Sequence, residues 1–167
     1  MNPHLAFDFT VHKETNTILV TREFNAELPT VWSAFTKAEI LDQWWAPQPW
    51  KARTKQMDFT EGGYWHYAMV GPEGEEHWAF ANFIKIDLHK SYSLKDGFSD
   101  ADGNVNNEMP QSKWDVKFTN NGLNTLVQIT ITHNSLQDLE SNIQMGFKEG
   151  FTIAMDGLDS LIPSLKK

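Results

Sequence analysis

The chain has 167 residues, a formal net charge of -8 and no cysteine, so it has the length of a single domain, and its surface repels nucleic acids and anionic lipid headgroups. The missing cysteines exclude disulfides, thiolate nucleophiles and cysteine-based zinc sites. No run of about 18 apolar residues is present, which predicts that no segment spans a membrane.

The chain begins with a short arm, one strand and two helices. The first ten residues contain an acid and neither the basic start nor the apolar stretch of a secretion signal, which predicts a cytoplasmic protein. We expect residues 1–15 to form an arm and residues 16–167 to form a single domain, which starts with the strand Thr17–Phe24. Apolar residues then recur at helical spacing behind Pro29, which predicts two short helices that end at Pro47.

The middle of the chain alternates between apolar runs and glycine-rich turns, a pattern typical of an antiparallel meander. A four-residue turn at residues 71–74 pairs Trp65 with Phe80 and Tyr67 with Trp78. Because the register decides which side chains share a face, these four aromatic residues are predicted to lie together on one side of the sheet. Such a face requires a cover.

A second turn gives an independent test of the facing of side chains. Closing a hairpin at residues 121–122 places Trp114 opposite Ile129 and Val116 opposite Val127, which again pairs apolar side chains. We therefore predict that Trp114 lies on the same buried face as the aromatic residues of the first hairpin.

The C-terminal segment supplies the cover for this face. Apolar residues between Leu136 and Leu161 step by three and four, which predicts one helix of about 26 residues. Ser135 and Asp138 form a helix-start signal, and Pro163 marks the expected end. The order of one strand, two short helices, several strands and a long helix predicts an α+β fold with its helices on one face of the sheet.

Five segments of the sequence resemble one known family. They are TREF at residues 21–24, PTVW at 29–32, LDQWWAP at 41–47, MDFTEGG at 57–63 and GFKEGF at 146–151. In order and spacing they resemble the domains of the activator of heat-shock-protein-90 ATPase homologue family, in the SRPBCC superfamily of START domains and birch-pollen allergens. The resemblance implies a helix-grip fold, in which a curved antiparallel sheet of about six or seven strands wraps around a long C-terminal helix and encloses a cavity. It implies no single activity.

The predicted pocket lies between the aromatic face of the sheet and the C-terminal helix. Gly146, Gly150 and Gly157 remove side-chain bulk from that helix, which favours a cavity, although close packing in a filled core also explains them. Pockets for small ligands are mostly apolar with a few placed polar groups. The candidate ligand-binding residues are Trp45, Trp50, Met57, Phe59, Trp65, Tyr67, Trp78, Phe80, Asn82, Trp114, Phe147 and Phe151.

Three polar side chains and one loop have alternative interpretations. Asn82 continues the inner face by alternation, and its amide either binds the ligand or satisfies the surrounding backbone. Arg53 and Lys55 either hold an acidic ligand at the pocket mouth or lie in water at the end of a strand. The loop WAPQPW at residues 45–50 either gates the pocket or contacts a partner, or its tryptophans close the end of the sheet.

The absence of catalytic and metal motifs favours a binding protein. No metal-ligand spacing links His66 and His77, and no nucleophile–base set or nucleotide-binding motif is present, so we predict no metal, no cofactor and no catalytic residue. The leading hypothesis is non-enzymatic binding of a small hydrophobic or amphipathic ligand in the cavity. Two alternatives remain open: a chaperone-associated interaction module with a protein partner, and a cyclase- or hydrolase-type enzyme that uses Asp96, Tyr67 or an inward cation.

Overall fold

The computed structural model describes residues 5–166. In chain order it has two strands, two helices, six strands and two further helices. The strands are β1 (Phe7–His12), β2 (Thr17–Phe24), β3 (Lys51–Met57), β4 (Tyr64–Val70), β5 (Glu76–Asp87), β6 (Ser91–Ser99), β7 (Ser112–Asn121) and β8 (Asn124–His133). The helices are α1 (Leu28–Thr36), α2 (Ala38–Trp44), α3 (Leu136–Gln144) and α4 (Phe147–Leu165). No helix in this part of the chain is both long and apolar enough to cross a membrane.

The predicted α+β helix-grip architecture is confirmed. All strands join one curved, open antiparallel sheet in the order β1-β2-β8-β7-β6-β5-β4-β3, and the long helix α4 ends the fold. The sheet has eight strands because Phe7–His12, inside the expected arm, pairs along β2 as an additional edge strand. The first four residues of that arm lie outside the described residues.

The C-terminal helical segment is not the single continuous helix that the apolar spacing predicted. It is divided between α3 and α4 at Gly146, whose φ of +90° lies in the left-handed region that favours glycine. The Gly146 amide donates to the carbonyl of Ile143 at 3.0 Å, which closes the last turn of α3. The helix also continues through Pro163 to Leu165, so the expected end at Pro163 was wrong.

The buried core lies between the inner face of the sheet and helices α1, α2 and α4. Trp44 anchors α2 to α1, because its Nε1 donates to the carbonyl of Ala34 at 2.9 Å. The buried Arg22 of β2 holds α4 on the sheet through an ion pair with Asp156, at 2.9 Å between nitrogen and oxygen. These contacts fix the helices that form one wall of the site described below.

The β4–β5 hairpin differs from its predicted register by one residue. Gly71 belongs to the ladder, since its amide donates to the carbonyl of Glu75 at 2.8 Å, and only residues 72–74 form the loop. Trp65 therefore lies opposite Ala81 and Tyr67 lies opposite Ala79. A shift of one residue moves a whole strand to the other face. The prediction that Trp78, Phe80 and Asn82 face inward was therefore wrong, and Asn82 is exposed.

The β7–β8 hairpin is shifted by two residues, which leaves its faces unchanged. Its loop is residues 122–123, and Trp114 lies opposite Ile131 while Val116 lies opposite Ile129. Trp114 is buried on the inner face, as predicted, because an even shift preserves the alternation of side chains.

An aromatic cluster covers the outer face of β4 and β5. The rings of Tyr64 and Phe80 stack with centroids 4.9 Å apart, and the ring of His66 lies 4.8 Å from that of Trp78. The loop after β6 covers this cluster, since His66 Nε2 lies 2.9 Å from the carbonyl oxygen of Asp100. These contacts explain how two large aromatic residues remain partly buried on the side of the sheet away from the helices.

The two cations that were considered for the pocket mouth also lie on the outer face. The guanidinium of Arg53 and the ammonium of Lys55 lie 5.6 and 5.8 Å from the ring centroid of Trp78. A bulge in β3 between Thr54 and Gln56 breaks the alternation that had linked these cations to the inward Met57. The alternative of solvated strand residues therefore describes Arg53 and Lys55 better.

Candidate functional site

A cavity of about 260 Å³ lies between the inner face of the sheet and the junction of α3 and α4. Its position agrees with the space predicted between the sheet and the helix around Phe147 and Phe151. Most of its walls are aromatic or aliphatic, and a small set of polar groups lies among them. The aromatic residues are Trp45, Tyr67, Trp78, Phe98, Trp114, Phe147 and Phe151, and the polar ones are His77, Asp96, Gln111, Ser112, His133 and Asn142.

Trp45, just after α2, is the centre of the aromatic wall. Its ring centroid lies 5.4 Å from that of Trp65, and 5.7 Å from those of Trp114 and Phe151. Its Nε1 donates a hydrogen bond of 3.0 Å to the hydroxyl of Tyr67. Pro47 then turns the chain away from the helix and toward β3. The indole is therefore held by packing and by a hydrogen bond, which fixes the floor of the cavity.

The helix side of the cavity lacks bulk at Gly150. A Cβ atom built there would meet only Pro47 Cγ, at the ordinary van der Waals distance of 3.5 Å. On either side of it along the helix, Phe147 and Phe151 stack on each other with centroids 5.3 Å apart. Gly150 therefore leaves room for a methyl group beside the loop that contains Pro47, and both residues line the cavity.

Asp96 is the acidic residue that lines the cavity, on the inner face of β6. Its Oδ1 atom is buried and has no hydrogen-bond partner among the described residues. Burial raises the pKa of Asp96 to about 7, against a smaller lowering by the backbone amide of Gly97. A carboxyl group that titrates near neutral pH inside an apolar cavity is uncommon, because buried polar groups normally find partners.

Tyr67 lies close to Asp96 and shares its environment. Burial, followed by the negative charge of Asp96, raises the pKa of Tyr67 well above its ordinary value, and the hydrogen bond from Trp45 opposes that rise. The phenol is therefore neutral at physiological pH and keeps its proton as a donor. Together these two residues place one hydroxyl donor and one carboxyl group in the aromatic wall.

His133 and Asn142 form the polar edge where β8 meets α3. His133 Nδ1 lies 3.4 Å from the carbonyl oxygen of Asn16, and Asn142 Nδ2 lies 3.1 Å from His133 Nε2. Burial lowers the pKa of His133. These contacts fit a neutral ring that donates from Nδ1 and accepts at Nε2.

The structure brings half of the predicted ligand-binding residues to the cavity. Those that line it are Trp45, Tyr67, Trp78, Trp114, Phe147 and Phe151. Trp78 only borders the rim, because its ring packs on the outer-face His66. A ligand-binding role for any of them stays a prediction.

The other candidates lie elsewhere. Trp65 stacks on Tyr67 at 3.9 Å beside a deeper void of about 20 Å³. Phe59 packs on Phe83 at 4.8 Å, at the far end of the inner face, and Met57 is partly buried against the same core. Trp50 packs on His77 at 5.2 Å. Phe80 and Asn82 are on the outer face, so neither borders the cavity.

Several cavity residues had no signal of their own in the sequence. Gln111, His133 and Asn142 come from a loop, a strand end and a helix that only the closed fold brings together. Asp96 had one signal, since it shares its alternation with the inward Leu94 and Phe98. Alternation alone did not fix the face of Asp96, because no clean turn in the sequence determines the register of its strand.

Comparisons with known proteins agree with this architecture. A solution structure of a protein from Arthrobacter aurescens is 26% identical over 94% of this chain and 91% of that chain, with a TM-score of 0.89. The crystal structure of protein Ms6760 from Mycobacterium smegmatis is 29% identical over 94% and 96% of the two chains, with a TM-score of 0.86. A Staphylococcus epidermidis protein is 26% identical over 93% and 94%, with a TM-score of 0.81.

No functionally curated protein matches the sequence. Residues 25–162 match the family described as Activator of Hsp90 ATPase homolog 1-like protein. This range includes α1, α2 and most of α4. The match contains four of the five segments that suggested the resemblance, and the fold agrees with it. The chain therefore belongs to the family of Activator of Hsp90 ATPase homolog 1-like proteins.

Proposed function

We propose that this domain binds a small hydrophobic or amphipathic molecule in the cavity between its sheet and α4, without catalysing a reaction. The observation that carries the proposal is the cavity of about 260 Å³ with mainly aromatic walls. Ligand pockets typically occupy about 300–1,000 Å³ and combine apolar walls with a few polar groups. The cavity is slightly smaller than that range, which favours a ligand with one or two rings or a short chain.

The arrangement of the cavity walls supports a ligand-binding site over an unfilled gap in the core. Trp45 is oriented by its hydrogen bond to Tyr67, and Phe147 and Phe151 are stacked, so the rings are held in place around the space. Aromatic side chains held in this way offer a large contact area at a small entropic cost, because few side-chain torsions remain to be fixed on binding.

A dye-binding experiment with two matched variants tests this proposal. Prodan, a small neutral naphthalene dye, should show a blue-shifted emission when it enters the cavity of the parent protein. Gly150→Leu places a side chain at the cavity wall and should weaken dye binding by at least about tenfold, or 1.4 kcal/mol. Gly157→Leu is the control, since Gly157 lies on the same helix, has open space around its Cβ position and does not line the cavity.

The stability of Gly150→Leu separates an open cavity from a filled core. In an open cavity the leucine occupies vacant space, and the free energy of unfolding stays constant or rises. In a filled core the same change costs about 1–3 kcal/mol through overpacking. The proposal fails if the parent never takes up dye, or if both leucine variants bind it as well as the parent does.

An enzymatic role is a second candidate because of Asp96. A carboxyl group with a pKa of about 7, next to the neutral phenol of Tyr67, has the properties of a general acid–base pair. Such a role would require a substrate whose reacting atom reaches Asp96. Turnover of a cavity-sized ester or polyketide-like substrate, lost in Asp96→Asn, would support it over simple binding.

A chaperone-associated role rests on the family alone. The family description names an activator of the Hsp90 ATPase, so the domain is a candidate partner for that chaperone. Addition of the purified domain to Hsp90 should then raise its ATP hydrolysis rate. No change in that rate, together with dye binding in the cavity, would favour the small-molecule role.

A further inference from the structure

The charges around the cavity restrict the kind of ligand that it can take. The titratable residues of the described chain that line it are Tyr67, His77, Asp96 and His133, and no lysine or arginine is among them. Asp96 is thus the residue that supplies a full charge there at alkaline pH, while burial favours the neutral forms of Tyr67 and His133. An anionic ligand would bring a second negative charge beside Asp96 and would find no opposing cation.

Asp96 is surrounded by aromatic rings. Trp45, Tyr67 and Trp114 line the main cavity with Asp96, and the same three residues line the smaller, deeper void beside it. The faces of aromatic rings attract organic cations, and a tryptophan face attracts them most strongly. A carboxylate among such rings is the combination that holds an alkylammonium group, since the rings supply contact area and the carboxylate supplies the opposite charge.

The unpaired oxygen of Asp96 points to the same ligand class. Oδ1 is buried without a hydrogen-bond partner, although buried polar atoms in folded proteins nearly always have one. A bound ammonium would supply the missing donor in a charge-assisted hydrogen bond, which is shorter and about twice as strong as a neutral one. A bound alcohol would supply a weaker donor, and a bound carboxylate would supply none.

On the basis of the proposed function, we propose that the ligand of the cavity is an organic amine, whose ammonium group pairs with Asp96 and whose apolar body lies against the aromatic wall. The whole chain has a formal net charge of -8, so its field also favours the approach of cations over anions. Asp96 already lines the cavity, so the proposed pair lies within the site described above.

Three probes with the same naphthalene body test this inference by calorimetric titration at pH 8. They are naphthylmethylamine, naphthylmethanol and naphthoic acid, which share the ring system and carry a cationic, a neutral and an anionic group. We expect the amine to bind the parent protein at least about tenfold more tightly than the alcohol, because a hydrogen bond between two charged groups is stronger than one from a neutral hydroxyl. The acid should bind most weakly.

Two carboxylate variants assign the preference to Asp96. Asp96→Asn keeps the size of the side chain and should reduce the affinity for the amine to that for the alcohol, while leaving the alcohol within about twofold. Asp115→Asn removes the same charge from the exposed outer side of β7 and should leave all three affinities unchanged. If Asp96→Asn does not fold, the pH dependence of the parent decides, because amine affinity should fall at least about tenfold from pH 8 to pH 5.5.

Asp96→Asn also distinguishes the effect of Asp96 on the pH dependence of amine binding from that of the cavity histidines. A pH dependence that persists in Asp96→Asn would come from another group of the cavity wall and would overturn the assignment to Asp96. Equal affinity of the parent for amine and alcohol, or a preference for the acid, would also overturn it while leaving small-molecule binding intact. If none of the three probes and no prodan binds, the proposed function itself fails.

Discussion

The two faces of the sheet at β4 and β5 are both rich in aromatic side chains, yet they are covered in different ways. On the inner face Trp65 stacks on Tyr67 at 3.9 Å, and a cavity remains between the sheet and the covering helix. On the outer face Tyr64 and Phe80 stack at 4.9 Å under the loop at residues 100–105. The covering segment, and not the number of aromatic residues, therefore decides whether a sheet face holds a pocket.

One glycine in each covering segment shows how closely that segment packs on the sheet. At Gly103 in the outer loop, a Cβ atom would lie 3.3 Å from the ring of Phe80 and 3.8 Å from that of His66, so the loop backbone packs directly on the cluster. At Gly150 in α4, a Cβ atom would meet only Pro47 at 3.5 Å. The first glycine permits a close approach, and the second leaves space in the wall of the cavity.

A pair of tryptophans on the same hairpin gives the largest expected contrast between the two faces. Trp65→Ala removes a buried ring on the inner face, together with the hydrogen bond of its Nε1 to Thr54 Oγ1, and should lower the free energy of unfolding by about 3–5 kcal/mol. Trp78→Ala removes a partly buried ring on the outer face and should cost about 1–2 kcal/mol. Urea unfolding measures both values.

Circular dichroism of each variant serves as the control for retained fold. A cost for Trp78→Ala that equals or exceeds the cost for Trp65→Ala would contradict the assignment of the two rings to opposite faces.

The architecture could be read from the sequence because it depends on signals that repeat along the chain. The order of strands and helices follows from local alternation, and the register of β7 and β8 was wrong by two residues without moving Trp114 from the inner face. In β4 and β5 an error of one residue moved Trp78 and Phe80 to the wrong face. Alternation in β5 did not reveal the error, because both of its faces are apolar.

The candidate site was less predictable because its polar residues meet only in the closed fold. Phe147 and Phe151 follow from the helical spacing, but Asp96, His133 and Asn142 come from three elements whose relative positions no local pattern specifies. The division of the C-terminal segment at Gly146 was also hidden, since the apolar residues keep their spacing on both sides of it. Asn142 lines the cavity from the last turn of α3, just before that division.

The second contrast between the faces concerns two aspartates. Burial raises the pKa of Asp96 to about 7, so the folded protein keeps a proton that the unfolded chain loses near the ordinary pKa of 3.8. The favourable contribution of Asp96 to the free energy of unfolding is therefore complete below pH 3.8, and it is lost as the pH rises through about 7. Asp96→Asn should therefore gain stability over the parent between pH 5 and 7, by at most about 1.4 kcal/mol per pH unit.

Asp115→Asn is the matched control on the outer face. Asp115 is exposed, so its replacement should change the free energy of unfolding by no more than about 0.5 kcal/mol. Protonation of His133 affects the parent and both variants alike, so it cancels in these differences. A flat difference for Asp96→Asn would show that its carboxyl group is not desolvated in the folded protein.

The smallest expected contrast is in the free energy of unfolding when the glycine in each covering segment is replaced by alanine. It tests the two covering segments directly. Gly103 has a φ of +89°, which costs an alanine about 1–2 kcal/mol, and the added methyl group would also press on the ring of Phe80. Gly150 is helical, and an alanine there should raise the free energy of unfolding by up to about 1 kcal/mol. Gly157→Ala, elsewhere on α4 with nothing near its Cβ position, should give the same gain. Thermal unfolding of the three variants should show a loss of stability at Gly103 and a gain at Gly150. A loss of stability at Gly150 with a gain at Gly157 would mean that α4 and the Pro47 loop are already in close contact. The cavity wall would then have no room for even one methyl group.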